Sequence, residues 1–96
     1  MDKVIKRKWV NALRSREYKQ GFAMLKLVCD GCRETYCCLG VLCEVMKESY
    51  VSIQAQPGKH VLRKAGLSEE DCGTLIKLND TGKKFYQIAN WIEKNL

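Results

Sequence analysis

The sequence has little that could do chemistry. It holds a single histidine, His60, a single proline, Pro57, and only two Phe and two Trp. One imidazole leaves any proton-transfer or zinc reading dependent on thiols. No apolar run nears the ~20 residues that a bilayer span needs. Met1-Asp2-Lys3 leads straight into charged residues without the apolar segment of an export signal. The expectation is a cytoplasmic protein without a membrane segment. No motif is specific enough to name a reaction, so no enzymatic activity and no cofactor are expected. No basic patch interleaved with aromatics argues strongly for nucleic acid.

What is present fits one domain over residues 1–96. A chain of 96 residues, 46% of them hydrophobic, can bury roughly 60–65% of its extended surface, enough for one modest core. Seventeen Lys and Arg against eleven Asp and Glu give +6. That balance favours polyanionic or phosphorylated partners, although a solvated basic face explains it equally well.

The densest apolar run is Tyr36-Cys37-Cys38-Leu39-Gly40-Val41-Leu42-Cys43, read as the start of a central helix over 38–48. Cys38, Leu39, Val41, Leu42, Val45 and Met46 share a wide arc, and Glu44, Lys47 and Glu48 occupy the remainder. Gly40 falls on the polar side. A glycine there costs ~1 kcal/mol relative to alanine, so something should approach the backbone at that point.

Residues 2–16 read as an amphipathic helix capped by Asp2, with Ile5, Trp9, Ala12 and Leu13 inward. Lys3, Arg7 and Arg14 project together from the opposite side as a basic stripe, and Gly21 supplies the stop. Asp30-Gly31, between Met24–Cys29 and Cys32–Tyr36, is a two-residue hairpin signal that sets Cys29 opposite Cys32. Tyr50-Val51-Ser52-Ile53 has the composition of a third short strand. His60–Ala65 is one or two helical turns ended by Gly66. Ser68 caps a helix with acids in its first turn and with Leu75 and Leu78 inward. Asn79-Asp80-Thr81-Gly82 breaks that helix, and Phe85, Ile88, Ala89, Ile92 and Leu96 mark a last one. The fold class is therefore α+β, a hairpin with a possible third strand packed by four to five helices.

Three candidate sites follow. Thr81, Gly82, Lys83 and Lys84 join backbone amides, a glycine and two lysines at a helix start, the chemistry of an anion site, which the stripe Lys3, Arg7 and Arg14 would supplement. A turn that merely caps the last helix uses the same residues. Cys29 and Cys32 have zinc-knuckle or redox spacing, but tetrahedral zinc needs a second ligand pair, and the other Cys and His60 do not repeat Cys-x-x-Cys. In a reducing cytoplasm the six cysteines are expected to be free and mostly buried. Cys37 or Cys38 with His60 would make a thiol nucleophile and base. Their Leu and Val neighbours argue for burial, and no orienting Asn, Asp or Gln is evident after His60.

Taken together, Trp9-Val10-Asn11-Ala12-Leu13-Arg14-Ser15 with Tyr18-Lys19-Gln20-Gly21, then Tyr36–Cys43, then Leu78-Asn79-Asp80-Thr81-Gly82 with Phe85, Ile88-Ala89 and Ile92-Glu93, resemble a group of small proteins of tailed phages and prophages. The resemblance spans nearly the whole chain. Relatives carry a serine just before the phenylalanine and an acid two residues after it, where this chain has Lys84 and Gln87. The resemblance implies an accessory protein made in an infected bacterial cell that acts by binding. The expectation is a counter-defence protein sequestering a small phosphorylated ligand such as a cyclic nucleotide, as a homo-oligomer with its pocket between subunits. Inhibition of a host protein, nucleic-acid binding and a Cys-based zinc or thiol protein are the alternatives.

Overall fold

A computed structural model describes residues 1–96. Its element order is α1 (Lys3–Arg14), β1 (Lys19–Gln20), β2 (Lys26–Leu27), β3 (Thr35–Tyr36), α2 (Cys38–Met46), α3 (Lys59–Ala65), α4 (Glu69–Asp80) and α5 (Phe85–Asn95). The α+β reading holds, with five helices around a small mixed sheet.

The helix ends follow local chemistry. Asp2 caps α1 by accepting from the Ile5 amide at 2.9 Å. Ser68 and Asp71 form a reciprocal capping box at the start of α4. Lys47 and Gly66 end α2 and α3 in the left-handed conformation. The chain's opening docks on α3, where the Asp2 amide donates to the Ala65 carbonyl at 2.8 Å.

Helix α2 is the centre, as its apolar run predicts. Every residue from Cys38 to Cys43 is buried, Gly40 included, so this half of the helix has no polar side. A Cβ on Gly40 would lie 1.9 Å from the Leu25 carbonyl oxygen. The approach inferred from the glycine is thus real and comes from the chain's own strand entry. α1 packs most extensively on α5 and next on α2. It buries Trp9, Val10 and Leu13, and the Trp9 indole donates to the Cys38 carbonyl at 2.8 Å.

The sheet departs from expectation in three ways. β2 and β3 are antiparallel as the hairpin requires, but the pairs are Lys26 with Tyr36 and Leu27 with Thr35. That register is one residue away from setting Cys29 opposite Cys32. The turn itself forms as expected, the Cys32 amide donating to the Cys29 carbonyl at 3.4 Å across a Cα separation of 5.6 Å, so the one-residue offset arises between the turn and the β2–β3 pair. The third strand is β1, parallel to β3 in the order β1-β3-β2, and Tyr50–Ile53 forms none. That segment lies beside β2 all the same, with the Leu25 amide donating to Gln54 and the Lys26 amide to Ser52. Gly21 does not stop α1, which ends at Ser15 and a left-handed Arg16. It is the residue that lets β1 lie against β3, because a Cβ there would meet the Thr35 hydroxyl at 2.5 Å.

Candidate functional site

The start of α5 is built from the loop Thr81–Lys84. Its amides are already used. Thr81 donates to the Lys77 carbonyl, Gly82 to Asn79 and Lys83 to Leu78. The Lys84 amide donates to Gln87 Oε1 at 2.9 Å, and the Phe85 amide to Gln20 Oε1 at 3.1 Å. The uncommitted amides expected at an anion site are therefore satisfied by protein acceptors, two of them glutamine side chains. Gln87 thus caps the start of α5 with an uncharged acceptor. Gly82 sits at φ 99 with open space around it, so its role is the left-handed turn rather than close approach. Lys83 and Lys84 remain exposed.

Behind this turn lies a polar hub that the sequence reading missed. Asn79, read as a helix breaker, lies inside α4 and is wholly buried. Its Oδ1 accepts from the Cys38 amide at 3.2 Å and from Gln20 Nε2 at 3.1 Å, and its Nδ2 donates to the Gly21 carbonyl at 2.8 Å. Asn79 thus caps α2 from a distant segment, since Cys37 provides no side-chain cap. Gln20 also donates to the Lys83 carbonyl at 2.7 Å, tying β1 to the α4–α5 turn. The Leu-Asn-Asp-Thr-Gly segment is largely a structural joint.

Cations gather elsewhere. Lys3, Lys6, Arg7 and Arg14 line one open concavity of about 230 Å³ between α1 and α5, with Asn11 on its wall and Glu93 as its one acid. Arg14 donates to Asn90 Oδ1 at 2.8 Å and pairs with the Glu93 carboxylate, while Lys6 reaches the Glu93 carbonyl at 3.3 Å. Lys3, Arg7 and Arg14, expected to share one direction on the helix, thus line a single concavity. Lys83 does not join it; that residue lines a separate hollow of about 170 Å³ with Leu78, Gln87, Ile88 and Trp91. The two halves of the expected anion site are distinct places on the surface.

The cysteines divide into two sets. Cys29 and Cys32 are exposed at the hairpin tip and joined as a disulfide, their Cα atoms 5.6 Å apart, which corrects the expectation of free thiols there. Gly31 at φ 73 lets the chain turn back between them. Cys37, Cys38, Cys43 and Cys72 are buried and free. Burial raises the pKa of all four, Cys43 and Cys72 to about 12, so none is a ready thiolate. His60 is exposed on α3, 4.0 Å from Glu48, and does not serve Cys37 or Cys38. Mass-spectrometric thiol counting should find no alkylation in the native protein, modification confined to Cys29 and Cys32 after mild reduction, and labelling of all six cysteines once the chain is reduced and unfolded.

Fold and site together describe a small α+β domain with a basic concavity on its first and last helices. The chain belongs to the family described as domain of unknown function DUF8296, whose model matches residues 1–66. That span runs from α1 through α3 and includes Lys3, Lys6, Arg7 and Arg14, but neither Asn79 nor α5. No curated protein and no solved structure matches the chain.

Proposed function

We propose that this protein is a non-enzymatic binder of a small phosphorylated ligand, a phage-type accessory protein that sequesters a nucleotide signal in the bacterial cytoplasm. The observation that carries this reading is the convergence of Lys3, Lys6, Arg7 and Arg14 on one concavity with a single opposing acid. Arginine forks suit phosphate oxygens and lysines add mobile charge. Glu93 holds Arg14 in the free protein, so an arriving phosphate takes the place of that carboxylate.

Isothermal titration with tripolyphosphate and a panel of linear and cyclic nucleotides tests this. Binding that weakens as salt rises is expected. Arg7→Glu should weaken it roughly 10–100-fold, the worth of a hydrogen bond to a charged group. Glu93→Gln should tighten it by freeing Arg14. Heat from none of the compounds would end the reading.

A second reading, inhibition of a host protein, is favoured by the exposed Leu27, Val28, Val51 and Ile53 on β2 and the segment hydrogen-bonded beside it; Ile53 is 77% exposed. A stoichiometric partner in host lysate that is lost on Ile53→Asp and kept on Arg7→Glu would select it.

A further inference from the structure

We infer that the basic concavity adjoins a nucleobase subsite formed by Tyr18 and Tyr86 with Arg14 and Arg16, so that the ligand carries an aromatic base as well as phosphate. The inference rests on the phosphate-binding reading and names the rest of the ligand.

A second hollow, about 460 Å³, opens between the segment after α1 and the first turn of α5. Arg14 lines this hollow and the basic concavity alike, so the two adjoin at its side chain. Tyr86 stands 58% exposed at its edge, next to the buried Phe85. Tyr18 is steadied by an edge-to-face contact with Tyr36, ring centroids 5.1 Å apart. Arg16 holds φ 66, a conformation rare for a side chain of its size, and lines the same hollow.

Flat aromatic rings beside two planar guanidinium groups are the surface on which bases stack with little regard to sequence. Lys3 and Arg14 are separated along α1 by roughly 16 Å at the helical rise per residue, room for more than one phosphate. A bare polyphosphate would use the cations and leave Tyr86 idle. A nucleoside polyphosphate uses both.

The experiment compares tripolyphosphate, ATP and a short single-stranded oligonucleotide by titration calorimetry on the full chain and on Tyr86→Ala and Tyr86→Phe. Stacking predicts that ATP binds about ten-fold tighter than tripolyphosphate, that Tyr86→Ala abolishes this advantage without changing tripolyphosphate affinity, and that Tyr86→Phe retains it. An oligonucleotide that binds tighter than ATP with a steeper salt dependence identifies a nucleic-acid strand as the source of base and phosphate; weaker oligonucleotide binding identifies the free nucleotide. Equal affinity for ATP and tripolyphosphate, or equal weakening of both by Tyr86→Ala, would overturn the base subsite and leave phosphate binding standing. No binding of any probe would overturn both.

Discussion

Gly40→Ala is expected to lower stability by about 3 kcal/mol or more, a loss of roughly 10–20 °C in Tm for a domain of this size. The added methyl would meet the Leu25 carbonyl at 1.9 Å, and that carbonyl cannot move freely. It accepts from the Cys37 amide at 3.2 Å, while the Leu25 amide is held by Gln54. Relief would require shifting β2 away from α2 and opening the centre of the core. Gly73→Ala is the matching control. Gly73 lies inside α4 with nothing near its missing side chain, so alanine there should gain up to about 1 kcal/mol from helix propensity. Urea denaturation of the two variants should therefore move in opposite directions. A Gly40→Ala midpoint equal to the parent's would mean that α2 and β2 are not in contact.

Asn79→Ala should be nearly as damaging, at about 3 kcal/mol. The substitution leaves the Cys38 amide and the Gly21 carbonyl buried without partners, and each such group costs ~1–3 kcal/mol. Asn79→Asp separates the two halves of the hub. It keeps an acceptor for Cys38 and Gln20 but points a carboxylate oxygen at the Gly21 carbonyl and toward Asp80, 3.3 Å from the present amide nitrogen. Burial and that neighbour raise the aspartate's pKa in the folded state above its unfolded value. The variant is then destabilised as pH rises above ~4 and recovers as pH falls toward it, because only the protonated acid can donate to Gly21. Denaturation midpoints of parent and variant across that range would check the sign. A deficit independent of pH would place the loss in packing instead.

These two residues also mark the boundary of what the amino-acid order discloses. Helices α1, α3, α4 and α5 were legible because caps and a 3.6-residue apolar period are local properties. The basic stripe was legible for the same reason: three side chains at helical spacing remain together whatever packs around them. Gly40 was assigned to the polar side because it shares a face with Glu44, four residues on. That assignment failed because a distant strand covers the first half of α2. β1 has two polar residues, too few to show a period, and its parallel pairing depends on Thr35 and Tyr36 far along the chain. Asn79 and Gln20 look like turn and surface residues until tertiary contacts set them against each other. The same limit applies to Thr81–Lys84, whose amides are taken by α4 backbone carbonyls and by Gln87, while distant Gln20 takes the neighbouring Phe85 amide. Tyr86 carried no signal, since one exposed aromatic on a helix is ordinary in sequence.

The partnership of α1 with α5 has a bearing on how the chain matures. Trp9, Val10 and Leu13 find part of their cover on a helix that emerges from the ribosome only after more than seventy further residues. Until Ile88 and Ile92 are made, that apolar stripe lacks the part of its cover that α5 supplies. The basic concavity has walls on both helices, so it is complete only once α5 has packed against α1.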